Sequence, residues 1–221
     1  MSNEVYRVEM DGEWELDDLY AFPHAFGQVY AFIYCFDSEL SARDAARIDH
    51  ALESYPWGGG YSIVNIYTVL QNQVEAIDRP RIVGIKYLSP GWIDILLNLD
   101  PAIKLAGSVA AVAGSLAAAA KAFNAIQKAL YDIRAQRGKA KVEEIKLTRA
   151  QIQELLGLTK DLAKLMKFDK VAALEQRTGD PEVAAKLVAA QFRRLKTLAE
   201  FQTEGKATLP GHPRKDAEEL E

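Results

Sequence analysis

Residues 81–122, "RIVGIKYLSPGWIDILLNLDPAIKLAGSVAAVAGSLAAAAKA", contain the switch from one backbone period to another. The first half is strand-like. Ile82 to Tyr87 is β-rich, Ser89-Pro90-Gly91 supplies turn chemistry, and Trp92 to Leu97 returns. Asp100 then suits an N-cap and Pro101 the first helical position, where a missing N–H costs nothing. No breaker follows until Gly138. The reading predicts a long helix over 101–137, about 35 residues and about 50 Å long at 1.5 Å per residue. A hairpin feeding directly into helices makes the fold α+β.

Working toward the N-terminus, "SIVNIYTVLQNQVEA" (62–76) fits a helix through Ile63, Ile66, Val69 and Leu70, although its β-branched content also suits a strand. "SELSARDAARIDHALES" (38–54) is helical, with Ser41 capping toward Asp44. In "DDLYAFPHAFGQVYAFIYCFD" (17–37), Leu19, Phe22, Phe26, Val29, Ile33 and Phe36 recur at helical spacing. Pro23 is tolerable there only near the first turn. Asp11-Gly12 separates two short alternating runs, so strands are expected at 4–10 and 13–16. Two hairpins with intervening helices make a small four-stranded antiparallel sheet with packed helices, a module of residues 1–100.

Toward the C-terminus the chain reads as all helical over 101–204. Thr148 and Gln151 form a capping-box pattern, and Asp180-Pro181 opens a last helix. Residues 205–221, rich in charge, Gly and Pro, read as a disordered tail.

Composition sets the outer limits. The chain has 221 residues, 49% hydrophobic and 26% charged, which is ordinary for a soluble globular protein. Its one cysteine, Cys35, lies in an apolar run and cannot form an internal disulfide. The opening "MSNEVYRVEMDGEWELDD" is acidic and lacks the apolar core of a secretion signal, so the expected location is cytoplasmic. Residues 1–100 carry six Lys and Arg against sixteen Asp and Glu, whereas 127–170 carry eleven against six. Two units that attract head to tail are one expectation; helix faces that merely differ in sign are the plainer one.

The uncharged run between Lys104 and Lys121 has three readings. Sixteen residues are short for a membrane span, which needs roughly 20 apolar ones, and methyl groups drive insertion weakly. "AGSVAAV" (106–112) and "AGSLAAA" (113–119) are near repeats offset by seven, and seven residues return to nearly one helix face. Gly107, Ser108, Val112, Gly114, Ser115 and Ala118 thus form a stripe of small residues where another helix can approach closely. Packing within its own chain and assembly with a partner both fit that stripe.

Candidate chemistry is sparse. His24, His50 and His212 fall into no metal-ligand spacing, and no nucleophile motif surrounds Cys35. "PWGGGYS" (56–62) is a candidate ligand loop: the backbones of Gly58, Gly59 and Gly60, flanked by Trp57, Tyr61 and Ser62, suit close approach to a phosphate. It lacks the lysine of a P-loop. Arg134, Arg137, Lys139 and Lys141 make a basic patch, but without aromatic interleaving and in an acidic chain, which argues against nucleic acid. No cofactor is expected.

"YPWGGGYSIVNIYTVL" followed by "RPRIVGIKYLSPGWIDILLNL" resembles a pattern of uncharacterised bacterial proteins with PW-GGYS and strand-SPG-strand motifs. The order of a small α+β domain and then a long helix is similar, more loosely, to TRADD-N-type adaptor domains of bacterial conflict systems. That resemblance implies an adaptor in defence and transfers no catalytic residue. The leading expectation is a non-enzymatic interaction protein that assembles with itself or a protein partner through the small-residue stripe. A membrane-acting effector whose Ala/Gly helix inserts is the alternative, and a ligand sensor or enzyme using the loop of 57–62 is the third.

Overall fold

The structure, a computed structural model, describes residues 3–55, 62–140 and 147–211. The chain opens with strand β1 (Glu4–Met10), followed by helices α1 (Leu16–Asp37), α2 (Ala42–Glu53) and α3 (Ser62–Gln73). Strands β2 (Arg81–Lys86) and β3 (Gly91–Leu97) form the hairpin read from sequence. Helices α4 (Leu99–Gly114), α5 (Leu116–Ala140), α6 (Arg149–Leu165), α7 (Val171–Thr178) and α8 (Pro181–Thr203) follow, and β4 (Ala207–Thr208) closes the series. The four strands form one antiparallel sheet in the order β2-β3-β1-β4, so the α+β class holds.

Strand alternation decides which face of the sheet is buried. Tyr6, Val8 and Met10 of β1 and Ile93, Ile95 and Leu97 of β3 lie in the core. On the opposite face Arg7 reaches across to Asp94 with two bonds of 2.7 Å and stacks 4.4 Å above the Trp92 ring. An antiparallel sheet commonly leaves one face to solvent, and this face is finished with an ion pair and a stacked ring.

The expected strand at 13–16 is absent. Gly12 turns the chain at φ 67°, but Trp14 goes inward instead, donating Nε1–H to the Lys206 carbonyl at 3.1 Å and packing on Phe22 and Phe201. The fourth strand comes from the segment read as a disordered tail. Ala207 and Leu209 are buried, Lys206 pairs with Asp18 at 2.8 Å, and the Tyr6 hydroxyl donates to the Pro210 carbonyl at 3.0 Å. These contacts repay the ordering of a polar segment. The tail beyond Gly211, including His212, lies outside the described residues.

Locally written helix signals hold. The Ser41 side chain accepts from the Asp44 N–H at 3.2 Å, and Thr148 and Gln151 cap each other reciprocally at 3.2 and 2.9 Å. Asp180 caps α8 with Pro181 just inside. The start of α4 is earlier than expected: Asn98, not Asp100, is its N-cap, accepting from the Asp100 N–H at 3.2 Å.

The long helix over 101–137 is two helices. α4 and α5 meet at Ser115 and diverge by 93°. Ser115 leaves the helical region (φ −133°, ψ 24°), its N–H donates to the Val112 carbonyl, and its hydroxyl donates to the Ala111 carbonyl at 2.7 Å. No proline imposes this turn. α4 buries Leu105, Val109 and Val112 where it packs on α8 and α1; α5 buries Ala119, Ile126 and Ile133 where it packs on α6 and α8. Both faces reach α8 only if the chain turns, so tertiary burial overrides the helix propensity of alanine. Gly138, the expected break, lies within α5.

α8 is the hub. Val183 to Phe192 are buried except Lys186, and the helix packs on α1, α4, α5, α6 and α7. One buried apolar cluster runs from Tyr6 to Leu209, so the expected boundary near residue 100 does not divide the core. Front carboxylates do find cations, Asp18 with Lys206 and Asp49 with Arg177 at 2.9 Å, but those cations lie outside the basic segment 127–170. Arg137 of that segment pairs instead with Glu182 at 2.8 Å.

Candidate interaction surfaces

The small-residue stripe is split by the elbow. Ser108 and Val112 are buried within the chain, and Gly107 and Ser115 are half-buried. Gly114 and Ala118 are exposed, as are Ala110 and Ala117. A Cβ added at Gly107 or Gly114 would meet nothing within 4 Å, so among the described residues no other helix uses the close approach that the glycines permit. Gly107 and Gly114 both lie on α4, seven residues apart, whereas Ser115 stands at the elbow and Ala118 on α5, so beyond Gly114 the stripe turns away by 93°.

In the candidate loop, Trp57, Gly58, Gly59, Gly60 and Tyr61 lie outside the described residues; Ser62 opens α3. In the basic patch, Arg137 is committed to Glu182, Arg134 is exposed, and Lys141 lies outside the described residues.

Cys35 is buried, and burial pushes its thiol up to about 12, so it stays protonated. Gln28 links His24 to Arg194. Its Oε1 accepts from Arg194 at 2.6 Å, which turns its Nε2–H toward His24 Nε2 at 3.0 Å. Arg194 itself lies 3.8 Å over the Tyr67 ring, and burial lowers its pKa. Among the described residues no group of three or more His, Cys, Asp or Glu side chains gathers as a metal site.

The surface that stands out is one the sequence reading did not single out. β2 is an edge strand, and among its side chains Ile82 is 53%, Val83 56% and Ile85 52% exposed. Tyr87 (59%) and Leu88 (64%) extend the patch into the turn. The register explains the arrangement. Ile82 pairs with Ile95 and Ile85 with Ile93, three residues on β2 against two on β3. The bulge at Val83 therefore places Ile82 and Ile85 on the same, core-side face, where ordinary alternation would separate them. α1 covers that face under β1 and β3 and stops short of β2.

The uncovered margin is a groove of about 390 Å³ between α1 and the edge. Phe26 and Tyr30 form one wall, Ile82 and Ile95 the floor, and Val74 and Pro80 one end. Gly27 makes room for Gln71 Nε2, which would stand 3.5 Å from a Cβ there. The walls are fixed by buried hydrogen bonds: the Tyr30 hydroxyl donates to the Asp78 carbonyl at 2.9 Å, and the Tyr34 hydroxyl to the Asp78 carboxylate at 3.1 Å. Desolvation holds both phenols above their ordinary pKa, so they remain donors.

No single helix is long and apolar enough to cross a membrane among the described residues, and α4 with α5 reaches the required length and apolarity only as a bent pair. Compared with protein-family models, curated proteins and solved structures, the chain matches none.

Proposed function

We propose that this chain is a non-enzymatic, adaptor-like interaction protein that holds a protein partner at the β2 margin. The observation that carries the reading is the patch of Ile82, Val83, Ile85, Tyr87 and Leu88, each more than half exposed on one hairpin. Contiguous apolar surface of this kind is unfavourable unless something covers it, and edge strands that lack such cover are ordinarily blunted. The loose resemblance to adaptor domains supports the same class. Selection from a displayed library of random peptides tests it. Ligands enriched on the wild type and not on Ile82→Lys/Ile85→Lys are expected; equal enrichment on both would reject the reading.

Self-assembly at the elbow is a second reading, supported by the open glycines Gly107 and Gly114 beside exposed Ala110, Ala117 and Ala118. Light scattering decides it. An oligomer whose mass falls on Gly107→Leu/Gly114→Leu is expected, and a strictly monomeric wild type removes it.

A further inference from the structure

We infer that the β2 edge takes an extended segment with acidic flanks, added to the sheet as a fifth strand. The inference rests on the reading of the β2 margin as a binding surface and names the chemistry of its occupant.

Three observations converge. β2 ends the sheet, so along its outer edge alternate N–H and C=O groups face away from β3 without a ladder partner. The groove beside it is mainly apolar and is lined by Ile82, and the exposed Ile85 points to the same side because of the bulge. A strand laid along β2 would seat the side chains of one of its faces there and satisfy the edge with main-chain bonds, the mode of β-augmentation. The charge then selects the strand. Residues 1–100 hold only six cations; Arg79 lines the groove, and Arg81 and Lys86 stand at the two ends of β2 on the face opposite Ile82 and Ile85. All three are exposed. Arg79 is bonded only to the backbone carbonyls of Val74 and Asn72, and Arg81 and Lys86 make no ion pair among the described residues. Arg7 on β1, by contrast, is paired with Asp94.

The same charge argues against a second copy of this chain. Pairing two β2 strands antiparallel about Gly84 would bring six cations to one seam with no carboxylate between them, and like charges across strands are destabilising. An occupant with Asp or Glu at both ends removes that cost. Arg81 pairs with Leu96 and Lys86 with Trp92, four steps along β3, so the two cations stand about 13 Å apart at roughly 3.3 Å per residue and the acidic residues about four positions apart with alternating apolar residues between.

The test uses the full chain and fluorescence anisotropy with a labelled peptide, Val-Glu-Val-Thr-Val-Glu-Val. Saturable binding is expected, weakened at least tenfold when lysine replaces the acidic residues. Backbone N-methylation at alternate positions is expected to abolish it. Arg81→Glu/Lys86→Glu, at exposed positions and with its fold checked by an unchanged melting curve, is expected to reverse the preference toward the lysine-flanked peptide. Absence of binding, equal binding of both peptides, or full binding of the N-methylated peptide would each overturn the inference. A chain that doubles in mass by light scattering, with the doubling lost in Ile85→Lys, would assign the edge to a second copy and overturn it as well. Library ligands that are helical or basic would leave the interaction reading standing while this inference falls.

Discussion

Gly84 and Lys167 show how single positions carry the fold's constraints. A Cβ at Gly84 would lie 2.8 Å from the Trp92 ring, and that ring is pinned from the other side by Arg7. Gly84→Ala must push the indole off its seat and loosen the Arg7 stack. A cost of about 1 kcal/mol is expected from urea unfolding. The penalty should vanish in a Trp92→Ala background, which a double-mutant cycle measures. Lys167 follows α6 at φ 55°, and the Phe168 N–H closes back on the Ala163 carbonyl at 2.9 Å. Glycine ordinarily fills that left-handed position. Lys167→Gly is expected to raise stability by roughly 0.5–1 kcal/mol. Neither position was legible beforehand, because nothing in "VGI" names Trp92 as the neighbour of its glycine. The caps of Ser41 and Thr148 were legible because both partners lie within three residues.

At the scale of elements, helix existence was readable and helix continuity was not. The alanine-rich run from Leu99 to Ala140 carries no breaker at Ser115, and the turn there is imposed by what α4 and α5 bury against α8. If the two glycines serve no packing within the chain, Gly107→Ala and Gly114→Ala should each stabilise it, by up to about 1 kcal/mol, in thermal melts of the monomer. The exposed margin of β2 was hidden for a different reason: alternation identifies a strand but not its rank in the sheet. Glu182, in the first turn of α8, makes a pH prediction at this scale. Burial opposes its ionisation, but the hydrogen bond from Lys186 and the charges of Lys186 and Arg137 outweigh it, and its pKa is lowered from 4.5. A depressed folded pKa contributes stability above the unfolded value and loses it as pH falls through the folded one. The difference between urea midpoints at pH 7 and pH 3 should therefore shrink in Glu182→Gln.

In the whole molecule, one core joins segments that the sequence reading set apart. α1 packs on α4 and α8, so residues 1–100 alone would expose the face that buries Val29 and Ile33. That fragment is expected to lack a cooperative melt and to bind a hydrophobic dye. Composition could suggest two units because charge differs along the chain; it could not show that the apolar faces of both meet α8. The sheet joins segments far apart in the chain as well. β1 lies between β3 and β4, with Glu9 opposite Thr208 and Met10 opposite Ala207. During synthesis at about 5–20 residues per second, β1 waits on the order of ten seconds or more for β4. The sheet can thus close only after Thr208 has been made, and any product stalled before that point emerges with β1 still lacking one side.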